Sequence, residues 1–138
     1  MIGIMSPEEI ESMLRSALVG RIGCSSNDHP YVVPINYAYD GEFIYGFSTL
    51  GRKVTVMREQ PSVCFEVDEI AGSSSWRCVI VEGQYEELTD ETCRQTAMQR
   101  LARDSGATVP RSLDASRNIV VFRIRVTEKS GRFERRDA

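Results

Sequence analysis

A short polar segment, GFSTLGRKV at residues 46–54, contains residue types that could bind an anion. It holds two hydroxyl residues, a glycine and two adjacent cations: Ser48, Thr49, Gly51, Arg52 and Lys53. A guanidinium binds two phosphate oxygens in a bidentate geometry, and an ammonium adds a point charge. The first N–H groups of a helix starting here would also be free to donate to an anion. The segment is therefore a candidate phosphate site, although taken alone it favours a helix start with two exposed cations.

A nucleotide-binding P-loop is an alternative interpretation, because Gly46 and Gly51 have the spacing of its two glycines. In that motif a lysine and then a serine or threonine follow the second glycine. Here Arg52 and Lys53 occupy those positions, so the hydroxyl that would bind Mg²⁺ is missing. The surrounding segments also resemble hairpins rather than βαβ units, which disfavours a P-loop.

The rest of the sequence offers no convincing set of side chains for acid–base or nucleophilic catalysis. His29 is the only histidine, and it lies in an NDHP segment that predicts a turn. The cysteines lack the short spacings of a zinc site, so we expect no metal centre. Cys64 and Cys78 lie inside apolar strand-like runs, and we expect both to be buried. A protein of this kind can still carry out redox chemistry through a bound cofactor.

Helices and strands of short length surround the candidate phosphate segment. A capping box from Ser6 to Glu9 begins a first helix, whose apolar residues then recur at helical spacing. Residues 52–60 predict a second helix that stops at Pro61, and residues 89–106 predict a third, capped by Thr89 or Asp90. Six runs have strand patterns: residues 20–26, 31–39, 42–48, 62–69, 76–88 and 117–129.

The connections between these strands are short, which predicts a mostly antiparallel sheet. The Asp40-Gly41 pair is a strong hairpin signal between residues 31–39 and 42–48. Pro34 marks an edge or an interruption of its strand, and Gly83 predicts a bulge. With 138 residues the default is one domain, so we expect a single α+β domain over residues 1–138, built around a small barrel.

The charge balance and the hydropathy of the chain disfavour nucleic acid and membrane as partners. The formal net charge is -3, and basic residues concentrate only after residue 117, where we expect a solvated strand face. No apolar run approaches the ~20 residues of a membrane helix. The N-terminus lacks a basic region before its apolar residues and turns acidic at once, so we expect a cytoplasmic protein.

The order of these segments resembles the pyridoxamine 5'-phosphate oxidase-like superfamily, and most closely its FMN-binding split-barrel branch of nitroimidazole-resistance (Nim)-like proteins. The resemblance runs from about residue 6 to residue 132. Its most specific pieces are PYVVPINYAY, then GRK followed by QPSVCFEV, then WRCVIVEG. It implies a six-stranded antiparallel split β-barrel with flanking helices. It also implies a homodimer with FMN at the subunit interface and a flavin-dependent oxidoreductase that acts on a small-molecule redox substrate.

The resemblance also implies roles for individual residues. The residues that would hold the flavin phosphate are Ser48, Thr49, Arg52 and Lys53. The strand whose backbone would run along the isoalloxazine contains Val33, Pro34, Ile35 and Asn36. The strand with Trp76 and Cys78 would approach the flavin, and Trp76 fits a core or dimer-interface anchor equally well. The oxidases proper have a glutamine where this chain has Cys78, so a side-chain hydrogen bond to the ring is not carried over.

Two departures from the family pattern limit which function can be transferred. Nim-like proteins often carry a histidine where this chain has Phe47, so chemistry that depends on that histidine is not expected. The resemblance still implies that the Phe47 ring packs near the flavin. The basic substrate-phosphate motif of true pyridoxamine phosphate oxidases cannot be mapped onto the C-terminal segment around Arg132. The alternatives are a flavin- or haem-binding protein that stores or senses without turnover, and a deazaflavin-dependent reductase on the same fold.

Overall fold

The computed structural model describes residues 1–106 and 119–136, which form one antiparallel sheet and three helices. The strands are β1 (Ile2–Ile4), β2 (Val19–Ser26), β3 (His29–Asn36), β4 (Ala38–Tyr39), β5 (Phe43–Thr49), β6 (Ser62–Gly72), β7 (Ser75–Glu87) and β8 (Ile119–Glu134). The helices are α1 (Pro7–Ser16), α2 (Arg52–Glu59) and α3 (Glu91–Ser105). The predicted α+β class is confirmed.

The sheet closes into a split barrel because its two end strands are neighbours in the chain. Hydrogen-bonded neighbours follow the order β3-β2-β6-β7-β8-β5-β4, and β1 pairs with the C-terminal part of β8. The path therefore begins at β3 and ends at β4, yet only Tyr37 separates these two strands in sequence. The covalent chain at Tyr37 brings the ends of the sheet together.

Tyr37 is held firmly at this corner. Its side chain is 1% exposed, and its hydroxyl donates to the carbonyl oxygen of Leu14 at 2.6 Å. Its ring meets the ring of Phe65 edge-on, with centroids 4.7 Å apart. Because a buried tyrosine needs a partner for its hydroxyl, the C-terminal turn of α1 stabilises the corner.

The single strand predicted at residues 31–39 is two strands in the structure, β3 and β4. The predicted count of six strands is therefore wrong. Residues 29–36 pair with β2, whereas only residues 38–39 pair with β5 beyond the Asp40-Gly41 turn. The chain thus changes neighbours at Tyr37, which an alternating pattern does not reveal. A strand of three residues, β1, which pairs with β8, was also missed in the sequence.

Alternation along each strand decides which side chains fill the barrel. Val63, Phe65 and Val67 point inward and are buried, so Cys64 between them lies on the outer face and is exposed. The expectation that Cys64 is buried is therefore wrong, and Cys78 is only half-buried. The predicted bulge is confirmed, because the β7–β8 register shifts between Glu82 and Gly83.

The helices follow their sequence signals. Both hydrogen bonds of the capping box link Ser6 and Glu9 at the start of α1. Asp90, one of the two predicted caps, accepts from the N–H of Cys93 at the start of α3. No helix in residues 1–106 or 119–136 is long and apolar enough to cross a membrane.

Candidate functional site

The candidate phosphate segment lies where β5 ends and α2 begins. Ser48 and Thr49 are the last two residues of β5, Gly51 is the N-cap, and Arg52 and Lys53 are the first two residues of α2. Gly51 provides no side-chain cap. The first N–H groups of α2 therefore have no intrahelical acceptor and carry the positive end of the helix dipole.

Arg52 is exposed and lies against an aromatic ring. Its guanidinium carbon is 5.1 Å from the centroid of the Tyr31 ring on β3. Tyr31 is half-buried and packs against the main core. The ring thus forms a platform beneath the cation on one side of the start of α2.

Lys53 is half-buried beside β2, on which α2 packs. Burial lowers the pKa of Lys53 from its ordinary value of 10.5, and the neighbouring Cys24 acts in the opposite direction. Cys24 is itself buried, and burial raises the pKa of its thiol. Cys24 is therefore a neutral neighbour at physiological pH and does not neutralise the lysine.

Neither cation has a counter-ion among residues 1–106 and 119–136. Carboxylates pair with other arginines and lysines, but none among residues 1–106 and 119–136 pairs with Arg52 or Lys53. Removing an ammonium from water is unfavourable unless an anion compensates. The start of α2 consequently has positive charge that the described protein groups leave unbalanced.

A groove of about 590 Å³ is lined by residues of β2, β3, β6 and β7, and its lining includes neither Arg52 nor Lys53. Tyr31, which lies against Arg52, and Cys24, a neighbour of Lys53, are among the lining residues. The groove then crosses the outer face of the sheet past Cys64 on β6 and Gln84 on β7.

The predicted isoalloxazine strand, residues 33–36, lies on β3 at the end of the hydrogen-bonded path. Val33 and Ile35 point toward the core, whereas Pro34 and Asn36 are exposed. As the last strand of that path, β3 has one edge outside the ladder, as its proline predicted. This edge offers backbone N–H and C=O groups to a planar ligand; contact of residues 33–36 with a flavin stays a prediction.

Trp76 and Cys78 lie on β7, three strands from β3 and thus about 14 Å across the sheet. They share the outer face, since the alternating residues Val79 and Val81 are buried inside. Trp76 donates its indole N–H to Glu134 at 3.2 Å. Within one chain these two residues do not meet the cation pair.

Cys78 has a hydrogen-bonded thiol. Its sulfur is 3.4 Å from Oε2 of Glu66, on the neighbouring strand β6. Burial, followed by the hydrogen bond to Glu66, raises the pKa of Cys78 to about 11. The thiol is therefore protonated at neutral pH and serves as a donor rather than a nucleophile.

Phe47 lies on the side of β5 that faces α3. It packs against a second apolar cluster that includes Ala97, Met98 and Leu101 of that helix. The described contacts of Phe47 are thus packing contacts, and its predicted proximity to a flavin is untested.

Tyr31 and Cys24 were missed as site residues. They face each other in the β2–β3 register, and α2 then approaches both. Tyr31 alternates with Val33 and Ile35 and so lies on the same face of β3 as those two predicted residues. This alternation is the sequence signal that could have identified Tyr31.

Comparison with known proteins identifies the family. The family model described as pyridoxamine 5'-phosphate oxidase matches residues 6–133. The chain belongs to this family. A crystal structure of an FAD-binding protein from Mesorhizobium loti is 35% identical, covers 98% of this chain and 99% of its own, and superposes with a TM-score of 0.81.

Two further comparisons give one structural and one sequence relative. A candidate 5-nitroimidazole antibiotic resistance protein from Bacteroides thetaiotaomicron is 21% identical, covers 96% of this chain and 87% of its own, and has a TM-score of 0.82. At this identity the likeness shows the shared fold alone. An uncharacterized protein of Rhizobium meliloti is 38% identical over 87 residues, which span 63% of this chain and 58% of that relative's length.

Proposed function

We propose that this protein binds FMN through the cation pair at the start of α2 and acts as a flavin-dependent oxidoreductase. The observation that carries the proposal is the unbalanced charge of Arg52 and of half-buried Lys53. A phosphate monoester carries close to two negative charges at neutral pH, so it matches two adjacent cations. The hydroxyl of Thr49 and the free N–H groups of α2 are further donors nearby. The Ser48 hydroxyl donates to the carbonyl oxygen of Thr49 at 2.8 Å and would have to rotate to bind a phosphate.

A flavin is the phosphate-bearing ligand favoured by the family. The Mesorhizobium loti relative, 35% identical over nearly its whole length, is described as an FAD-binding protein. FMN and FAD share the isoalloxazine ring and a phosphate attached to the ribityl chain. FMN is the simpler fit, because its terminal dianion can use both Arg52 and Lys53.

The residues of this chain would bind and orient such a cofactor rather than carry out the redox step themselves. The flavin supplies the electron-transfer chemistry when it is bound. Arg52 and Lys53 hold the phosphate, and the free edge of β3 at residues 33–36 offers backbone groups to the ring. We propose that the protein acts in the cytoplasm.

The outer face of the sheet supports a homodimer. It exposes aliphatic side chains on four neighbouring strands: Val19 (53% exposed), Val32 (64%), Ile70 (72%) and Ile80 (46%). Apolar side chains exposed on one face favour an interface there, and the ion pairs of Arg21 with Glu66 and Asp68 lie among them on the same face. In a dimer formed through this face, Trp76 and Cys78 of one subunit would approach the flavin held by the cations of the other.

The first experiment is mass spectrometry of the cofactor released from purified protein, combined with FMN and riboflavin titrations of Arg52→Ala, Lys53→Ala and the double variant. We expect FMN in the released fraction. Each variant should weaken FMN by about 1.5–3 kcal/mol, since each removes charged hydrogen bonds, and should leave riboflavin unchanged. Arg103→Ala on α3, whose guanidinium pairs with Asp104, is the matched control for loss of an arginine.

The outcomes separate the proposal from its alternatives. Equal losses for FMN and riboflavin would contradict the phosphate site. A released deazaflavin would indicate a deazaflavin-dependent reductase, and a haem spectrum would indicate a haem protein. Bound FMN without turnover by NAD(P)H and an electron acceptor would favour storage or sensing over catalysis.

A further inference from the structure

We propose that Tyr31 is a positioning residue that holds the Arg52 guanidinium for the flavin phosphate. This inference rests on the proposed function and adds a residue to the same site. The guanidinium carbon of Arg52 lies 5.1 Å from the centroid of the Tyr31 ring. No hydrogen bond or ion pair fixes the Arg52 side chain to any other residue in the described part of the chain, and the Tyr31 ring lies against its guanidinium.

An exposed arginine samples many rotamers, and this freedom is lost when it binds a ligand. A flat ring beneath the guanidinium restricts those rotamers beforehand, and the cation–π attraction favours the stacked arrangement. Stacking also leaves the edge of the guanidinium, with its N–H donors, free to bind phosphate oxygens. Preorganisation of this kind raises affinity without adding a contact to the ligand.

The ring of Tyr31 can act as a platform because its own position is fixed. Tyr31 is half-buried against the main core and lies opposite Cys24 in the β2–β3 ladder. Its hydroxyl forms no hydrogen bond with any residue in the ranges 1–106 and 119–136. The ring of Tyr31, rather than its hydroxyl, therefore makes the contact with Arg52.

Three substitutions separate the ring from the hydroxyl and from the rest of the site. Tyr31→Leu removes the ring, Tyr31→Phe keeps it, and Arg52→Ala removes its cation. We expect Tyr31→Leu to weaken FMN roughly two- to fivefold, the range of an exposed cation–π contact. Riboflavin binding should not change, because riboflavin lacks the phosphate. Tyr31→Phe should bind FMN like the wild type.

A double-mutant cycle tests whether Tyr31 acts through Arg52. If it does, Tyr31→Leu should cause no further loss of FMN affinity in the Arg52→Ala background. Additive losses would overturn the inference, because they would show an independent role for Tyr31. Equal losses for Tyr31→Leu and Tyr31→Phe would also overturn it, because the hydroxyl would then be the important group.

The failures of the two proposals are distinguishable. If Arg52→Ala weakens FMN but Tyr31→Leu does not, only the positioning role is wrong. If Arg52→Ala itself leaves FMN affinity unchanged, the phosphate site is wrong and the positioning role fails with it. Circular dichroism and thermal melting without flavin establish that each variant folds. Tyr31→Met, which retains more apolar volume, replaces the leucine variant if that variant does not fold.

Discussion

Tyr45 donates its hydroxyl hydrogen to Oδ2 of Asp40 at 2.7 Å, across the turn that joins β4 to β5. The other oxygen of Asp40 accepts from the backbone N–H groups of Glu42 and Phe43 at 2.9 and 2.7 Å. Burial by itself would raise the pKa of Asp40, but these hydrogen bonds lower it below the ordinary 3.8. The ionised carboxylate therefore stabilises the turn between β5 and β4, the last strand of the hydrogen-bonded path.

Asp40→Asn should destabilise the protein by about 1–3 kcal/mol at pH 7, because it replaces a charged acceptor of three hydrogen bonds. A group with a depressed pKa stabilises the fold above its unfolded-state value, and the effect is lost as the pH falls through the folded-state value. The difference between variant and wild type should thus shrink below about pH 3.8. Urea unfolding of both proteins at pH 7 and below about pH 3.8 measures this difference in the free energy of unfolding.

The control for the Asp40 variant is Glu42→Gln in the same turn. The Glu42 side chain is exposed and forms no hydrogen bond or ion pair with another residue of the described ranges. It should change stability little at either pH. A loss for Asp40→Asn that stays the same at both pH values would contradict the proposed role of the charge.

FMN affinity should depend on the protonation of Lys53. Burial lowers the pKa of Lys53 in the free protein, whereas a bound phosphate favours its charged form. FMN should therefore bind more weakly as the pH rises through the free-protein pKa, by up to about tenfold per pH unit. Titrations from pH 7 toward 10.5, the ordinary lysine value, would follow the decline.

Two comparisons isolate this lysine. Riboflavin has the same ring but no phosphate, so its titration corrects for ionisation of the flavin itself. Lys53→Arg keeps its charge over the whole range, since a guanidinium is not deprotonated in proteins. An equally steep decline in the arginine variant would assign the pH dependence to another group.

Gly83→Ala should destabilise the fold through the bulge between β7 and β8. A Cβ atom at Gly83 would lie 2.6 Å from the carbonyl oxygen of Arg125 and 2.6 Å from a side-chain carbon of Ile124. The backbone oxygen cannot move as a side chain can, so we expect a loss of about 1–3 kcal/mol in the free energy of unfolding. Gly72→Ala is the matched control, because nothing lies within 4 Å of a Cβ there. Equal stabilities of the two variants would refute the packing argument.

Ile80→Glu should convert the proposed dimer into a monomer. Ile80 is 46% exposed in the single chain and lies beside Glu66 on the outer face. A dimer interface on this face would bury the introduced carboxylate without a cationic partner, which is unfavourable. Sedimentation velocity at micromolar concentration should show a dimer for the wild type and a monomer for the variant.

Gln99→Glu, on the exposed side of α3, adds the same charge away from the outer face and should remain dimeric. A wild-type monomer with tightly bound flavin would show that a single chain completes the site. That result would remove the proposed roles of Trp76 and Cys78 toward a partner's flavin.

Reduction of bound FMN should proceed without a histidine-like pH step near ~6.5. Phe47, which stands where the sequence comparison with Nim-like proteins expects a histidine, cannot transfer a proton. The exposed His29 begins β3 at its far end from residues 33–36. Stopped-flow reduction rates of wild type and His29→Ala should therefore follow the same pH profile. A pH step near that value which disappears in His29→Ala would place the site at the β2–β3 turn instead.

Local signals in the sequence determined the helices, the turns and the position of the two cations. The capping box of Ser6 and Glu9 and the Asp40-Gly41 turn each depend on residues close together in the chain. The start of α2 at Arg52 is local in the same sense. Such features survive in a sequence pattern because their hydrogen bonds form within a few residues.

The tertiary structure decided which strands are neighbours and what surrounds the cations. The sheet is closed at Tyr37 because the chain leaves β2 there and joins β5, a change that leaves the alternating pattern intact. Cys64 is exposed because register fixes the face of each residue, and the composition of a run does not. Tyr31 and Arg52 lie 21 positions apart, and they meet only because α2 packs against the β2–β3 hairpin. The sequence supplied the charges of the site, and long-range packing supplied the ring and the half-buried environment that define their chemistry.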